Sequence, residues 1–412
     1  MQGAGANRRG PVGRRGVVAG LLTAGLWPRS LAAASLAKPP LGVKTWLRTA
    51  EQLPLALPFD YVGIHTDHGL GGPTPKPTYP YDAVRSHDAD DGSGKPVLQW
   101  ANIEVAPGAY NWRALDAWIA ANPGKTRIFV LCGCPVFYQK YPGEPWPYPD
   151  LPGGGSPPKD VGAAARFISA IVRRYPGKIH FVEPWNEPNF AAGRRRPFED
   201  RWGPWMGKPG FFTGTAGELA GMARAIRGAL PADVRLMIGA WEGQDGEAGL
   251  GNSLVRFAHA PDGGGGFGRD HAQALSVHSY TYHNDPNKMI AELLGYEARF
   301  REAGFQPGLP RYVSECGVEA PEFWTAERPS IEMKVRCIKR WFMIPAALGY
   351  LGVYLYKHSI MRTLGDPARE PRISEAIGEM RRQLSGSIVR QAAELADGSI
   401  WLAFSDGRAL QA

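Results

Sequence analysis

The chain has 412 residues, 44% hydrophobic and 21% charged. This composition excludes a disordered or fibrous protein, and a single barrel or sandwich can fill the length. The formal net charge is +8, but five arginines and no acid lie in residues 1–37, which leaves +3 on the remainder and gives no reason to expect a nucleic-acid partner.

The first 37 residues predict an export signal rather than part of a fold. Arg8-Arg9 and Arg14-Arg15 precede an apolar run, 16–27 (GVVAGLLTAGLW), of the length of a signal's hydrophobic region and too short to span a bilayer. Small residues follow, from Ala32 to Ala37, and cleavage is expected after Ala34 or Ala37. The sequence around Arg14-Arg15 resembles a twin-arginine signal, which implies a periplasmic or secreted protein. An uncleaved anchor or a basic tail is the alternative. No other apolar run is long enough to cross a membrane.

Short apolar runs then alternate with amphipathic stretches. Segments 61–65 (YVGIH), 83–85 (AVR), 128–132 (IFVLC), 179–183 (IHFVE), 235–239 (RLMIG), 274–278 (ALSVH), 311–315 (RYVSE) and 352–356 (GVYLY) predict eight strands. Helical spacing marks 112–121, where Leu115, Trp118 and Ile119 share a face, and 160–175, where Phe167, Ile168, Ile171 and Val172 do. It continues at 215–230, 286–304, 330–348 and 374–384, and more weakly at 252–259. The alternation predicts a (β/α)₈ barrel, an α/β fold, over 38–386. Residues 66–81 hold too many glycines and prolines for a helix. The competing open doubly wound sheet calls for a Gly-rich phosphate loop after an early strand. The glycine run 263–266 follows no strand, opens no helix and reads as a flexible loop. Residues 387–412 carry an apolar run (IWLAF) between Asp397-Gly398 and Asp406-Gly407, which predicts a small C-terminal β appendage. The four cysteines, Cys132, Cys134, Cys316 and Cys337, have no zinc-ligand spacing. A Cys316–Cys337 bridge and buried free thiols both remain open.

In such a barrel the chemistry stands at the C-terminal ends of the strands. His65 ends the first strand, Arg85 and His87 the second, Asn186 and Glu187 the fourth, and Trp241 the fifth. His278 and Tyr280 end the sixth, Glu315 the seventh, and Tyr356, with Lys357 and His358, the eighth. Two carboxylates, Glu187 and Glu315, thus face each other across the mouth. Glycoside hydrolysis needs that pair: one carboxyl protonates the leaving oxygen while the other attacks the anomeric carbon or activates water.

Trp185-Asn186-Glu187-Pro188 resembles the W-N-E-P motif of clan A glycoside hydrolases, and Ser314-Glu315-Cys316-Gly317 is similar to their strand-7 nucleophile motif. His278-x-Tyr280 resembles their H-x-Y, and Arg85 their strand-2 arginine. The stretch Trp100 to Asp116 is similar to one in family 39 and related family 5 barrels, with Val105 in place of their proline. The resemblance implies that Glu187 is the acid/base and Glu315 the nucleophile. It also implies that Asn186 contacts the sugar, Tyr280 hydrogen-bonds the nucleophile, and Arg85 holds it ionised. Relatives carry a strand-8 tryptophan as sugar platform. Here Tyr356, or Trp324 from another loop, is expected to serve. His65 and His87 either bind sugar hydroxyls or cap the barrel, and Trp241 and His278 are further binding candidates. The expectation is a monomeric, exported, retaining hydrolase of a polysaccharide or oligosaccharide, with no metal or organic cofactor. A transglycosylase and a glycan-binding barrel without turnover are the alternatives.

Overall fold

The computed structural model describes residues 37, 40–66, 69–70, 79–93, 95–147, 150–189, 211–242, 253–281, 285–318, 330–356 and 371–412. The first two strands, β1 (Val43–Arg48) and β2 (Leu55–Ala56), precede the barrel. Next come β3 (Val62–His65), β4 (Ala83–Arg85) and a short helix, α1 (Trp100–Ile103), followed by the hairpin β5 (Glu104–Ala106) and β6 (Ala109–Tyr110). The chain continues through α2 (Arg113–Ala121), β7 (Thr126–Val130), α3 (Val161–Arg174), β8 (Phe181–Glu183), α4 (Ala216–Ala229), β9 (Arg235–Glu242) and α5 (Ser253–His259). It then forms β10 (Ala274–Thr281), α6 (Lys288–Glu302), β11 (Arg311–Val318), α7 (Ile331–Leu348), β12 (Val353–Leu355) and α8 (Pro371–Leu384). Three strands finish it: β13 (Ile388–Leu395), β14 (Ile400–Phe404) and β15 (Ala409–Gln411).

Eight parallel strands, β3, β4, β7, β8, β9, β10, β11 and β12, close into a barrel. All eight expected strands lie in it. The sequence pattern works because these strands are covered on both faces, so they read as short apolar runs instead of alternating ones. Inside the wall, a Cβ on Gly63 would meet the Tyr354 ring at 2.4 Å, and the rings of Phe181 and Tyr312 lie 5.2 Å apart. Helix starts follow local chemistry: Asp160 accepts from the Gly162 amide at α3, and Thr215 and Glu218 form a capping box at α4. Gly349, at φ 92°, ends α7 in the left-handed conformation.

The structure differs from the sequence reading in several places. The C-terminal strands do form a small antiparallel sheet, but it also takes in β1 and β2, in the order β1-β13-β14-β15 with β2 on β13. The appendage is therefore built from both ends of the described chain, and residues 43–48 do not belong to the barrel. Its core holds Ala393, Leu395, Trp401 and Ala403, and the exposed Trp46 lies edge-on to Trp401. The glycine run is not a loose loop: Asp262 accepts from the Gly264 and Gly266 amides and holds it in a turn. All four cysteines are free and buried, so Cys316 and Cys337 form no bridge. Within the first connection, residues 67–68 and 71–78 lie outside those described, as do the signal-like residues 1–36. Among the described residues no helix is long and apolar enough to cross a membrane.

Candidate active site

Backbone irregularity gathers at one end of the barrel. Among the described residues, the positive-φ positions other than glycine are Asp88 (56°), Glu187 (39°) and Ala240 (55°). Each lies at or just past the C-terminal end of a barrel strand. Such conformations cost on the order of 1–3 kcal/mol and cluster where function demands a particular side-chain direction. Pro184 ends the pairing of β8, so Trp185-Asn186-Glu187-Pro188 is a turn beyond the strand. The Trp185 indole donates to the Phe211 carbonyl at 2.8 Å, which pins that turn. The strand register also breaks here. Along β10, Val277 pairs with Val313 but His278 pairs with Glu315, so β11 carries one extra residue, which re-aims Glu315.

Arg85 sits at the centre, fully buried. Its Nη1 donates to Glu315 Oε2 at 2.8 Å, its Nη2 to Asn186 Oδ1 at 2.8 Å, and its Nε to Glu183 Oε2 at 2.7 Å. Burial opposes the guanidinium charge, yet Glu183 and Glu315 raise its pKa above the usual range and keep it charged. The Tyr280 hydroxyl donates to Glu315 Oε1. Burial, and then Glu315, raise the tyrosine well above its ordinary range, so it stays a donor. Glu315 therefore meets a donor on each carboxyl oxygen. Burial is the larger influence on it and lifts its carboxyl to about 7, against the downward pull of Arg85 and Tyr280.

Glu187 has a different neighbour. His278 Nδ1 lies 2.7 Å from Glu187 Oε1. Burial, and then the charges of Arg85, His65 and His87, push His278 well below the usual histidine range, so it is neutral near pH 7. One carboxyl is thus flanked by a fixed cation and a phenol, the other by a neutral imidazole. An oxygen of each and His278 lie within 4.8 Å of one another. That spacing alone could hold a divalent ion. However, the guanidinium of Arg85 already occupies Glu315 Oε2 and supplies the positive charge there, so the trio does not fit a metal.

The other expected residues divide. His65 is buried, with Nε2 3.1 Å from the Ser314 carbonyl and 3.7 Å from Glu315 Oε2. Tyr356 lies edge-on to His65 and Tyr280, and its hydroxyl donates to Asp88 at 2.8 Å. His87 is buried beside Phe211, with Nδ1 3.4 Å from Asp88 Oδ2. Trp241 is 2% exposed and packs against Phe257 of α5. The extra residue around Gly239-Ala240 changes the alternation of β9 and turns this ring to the helix layer. Trp324, Lys357 and His358 lie outside the described residues.

Sequence reasoning missed Glu183 as a member of this group. Its signal was its position, an acid ending an apolar strand, which requires a buried partner. Arg85, a lone cation ending another apolar strand, was the matching half. Asp88 and Ser276 gave no comparable signal. In the motif from Trp100 to Asp116, Glu104 proves to be a staple: it accepts from the Trp100 indole, the Tyr138 hydroxyl and the Gly108 amide.

No protein-family model matches the sequence, and no curated protein sequence does. Solved structures do align with it. A glucosidase from Croceicoccus marinus aligns with TM-score 0.51 at 13% identity, over 87% of this chain and 77% of that one. A GH5-4 broad specificity endoglucanase from an uncultured bacterium gives 0.49 at 14% identity, over 77% and 93%. Native xylanase 10B from Thermotoga maritima gives 0.48 at 10% identity, over 79% and 97%. The first likeness bears out the (β/α)₈ fold.

Proposed function

We propose that the chain is a retaining glycoside hydrolase acting on a polysaccharide or oligosaccharide. The observation that carries this reading is the pair of opposed carboxyls, with oxygens within 4.8 Å of each other, in two contrasting environments. Carboxyl separations of about 5–5.5 Å accompany double displacement, and about 6.5–9.5 Å leave room for the water of an inverting enzyme. The motif order Arg85, Asn186-Glu187, His278-x-Tyr280, Glu315 supports it, as does the fold shared with a protein described as a glucosidase.

In the first step a Glu315 oxygen bonds to the anomeric carbon as the glycosidic C–O bond breaks. The leaving oxygen takes its proton from the Glu187 carboxyl. In the second, water attacks the same carbon and gives a proton to the Glu187 carboxylate, and the glycosyl ester bond breaks to return Glu315 as carboxylate. Arg85 and Tyr280 stabilise Glu315 as nucleophile and as leaving group. Neutral His278 can accept from protonated Glu187 or donate to its anion, depending on tautomer, so it suits both halves. Export of the mature chain is part of the proposal and rests on residues 1–37.

The test is product release from a panel of neutral and acidic polysaccharides, with Glu187→Gln and Glu315→Gln beside the parent protein. Proton NMR of the first-formed product reads the anomer. Retained configuration, with release lost in both variants, is expected. Inversion would overturn the mechanism, and undiminished release by either variant would overturn the residue assignment.

A further inference from the structure

We propose that Glu183 is a positioning residue, a carboxylate that does no chemistry but clamps Arg85 so that the nucleophile receives only one prong of its guanidinium. The inference rests on reading Glu315 as the nucleophile. Arg85 Nε and Nη2 both lie 2.7 Å from Glu183 Oε2. The remaining edge is divided, Nη1 to Glu315 at 2.8 Å and Nη2 to Asn186 at 2.8 Å. Glu183 is itself fixed: Ser276 Oγ donates to its Oε1 at 2.7 Å and accepts from the Ala240 amide at 2.8 Å. One side chain on β8 thus ties together β4, β9, β10 and, through Arg85, β11. It holds the positive-φ bulge of β9 in the same network. Glu183 is 0% exposed, so it guides Arg85 without meeting solvent.

A guanidinium presents a fixed fork that pairs best with a single carboxylate through two parallel bonds. Without Glu183, Arg85 would be free to turn that fork fully onto Glu315, mask both the charge and the attacking oxygen, and lose its hold on Asn186. With Glu183 in place, Glu315 shares the cation with a spectator. Among the described residues, the groups that face Glu315 are Arg85 on β4, His65 on β3, Glu183 on β8 and Glu187 beyond it, His278 and Tyr280 on β10, Asp88 beyond β4, and Tyr356 beyond β12. Of these, Glu183 is the anion that shares Arg85 directly.

The experiment is Glu183→Gln, read by carbon-13 NMR titration of the Glu315 carboxyl, assigned by its disappearance in Glu315→Gln, and by the pH dependence of kcat/KM. The titration midpoint of Glu315 is expected to fall by about one unit, a tenfold change in its ionisation constant, and the acid limb of kcat/KM to move with it. A folded variant with an unmoved midpoint overturns the proposal, because a side chain that only fills space leaves the ionisation of Glu315 alone. If Glu183→Gln does not fold, Glu183→Asp keeps the charge but withdraws it from Arg85 by one methylene. The midpoint should again fall, by less, and no movement overturns the proposal equally. The NMR titration needs no turnover, so its result stands apart from the functional reading. A shifted midpoint in a protein that hydrolyses nothing sinks only the latter, and hydrolysis with an unshifted midpoint sinks only the former.

Discussion

The strand β4 is three residues long, and each of its ends carries an arginine–carboxylate pair. At the start, Asp82 takes a two-pronged fork from Arg381 of α8, with both bonds 2.7 Å. At the finish, Arg85 faces Glu183 and Glu315 with no solvent exposure. The chemistry is the same and the surroundings are opposite. The outer pair is partly exposed, with side-chain accessibilities of 37% and 13%, so water and salt screen it and each partner can be solvated if the other leaves. The inner arginine is the cation that two buried acids share, and removing it leaves both without a counter-charge from it. Burial, not pairing, separates a fold-fastening contact from one suited to tuning a carboxylate.

The difference can be broken at either end. The largest expected effect is on turnover: Glu315→Gln should lower kcat by roughly 10⁴-fold or more, as loss of a nucleophile does, and steady-state kinetics on the first active substrate checks it. Next is Arg85→Met, which leaves Glu183 and Glu315 as uncompensated buried charges. It should cost about 3–5 kcal/mol of unfolding free energy, read from urea midpoints. Smaller is a shift in pH profile. The proposed nucleophile, Glu315, must be ionised to attack and its carboxyl lies at about 7, so kcat/KM of the parent protein should rise with pH through the region near 7. The Tyr280 hydroxyl lowers that value, so Tyr280→Phe should move the acid limb upward, by about half a unit to one unit. The smallest is Arg381→Met at the outer pair, expected to cost about 1 kcal/mol or less and to leave kcat/KM unchanged. An equal loss of stability at Arg381 and Arg85 would erase the difference between the two pairs.

Most of the barrel was legible because its strands are short apolar runs set between amphipathic helices, each with its own local signal. The strand ends were less so. β9, β10 and β11 run on to Glu242, Thr281 and Val318, past residues that do not look like strand. Glu187, Glu315, Asn186 and Tyr280 could be named because their types and order fit a single chemistry. Glu183 was visible as an acid but not as a partner of Arg85, since that pairing depends on which strands become neighbours across a closed barrel. The direction of the Trp241 ring was not legible for a similar reason. A bulge shifts the face of every residue beyond it, and no feature of Gly239-Ala240 in the sequence announces one. Strands β1 and β2 were missed because edge strands of a small sheet carry weak patterns and find their partner only in the tertiary fold.

The joining of β1 to β13 has a consequence for how the chain matures. Lys44 and Glu394, which meet across those strands at 3.0 Å, are 350 residues apart in sequence. During synthesis β1 must wait, with its hydrogen-bonding edge unpaired, until β13 has been made. Closing so long a loop is slow, and a waiting edge invites pairing with another chain. The small sheet therefore acts as a late latch: it fastens the early end of the polypeptide only once the barrel between is complete, and a nascent chain stalled before β13 would be the form most prone to aggregate.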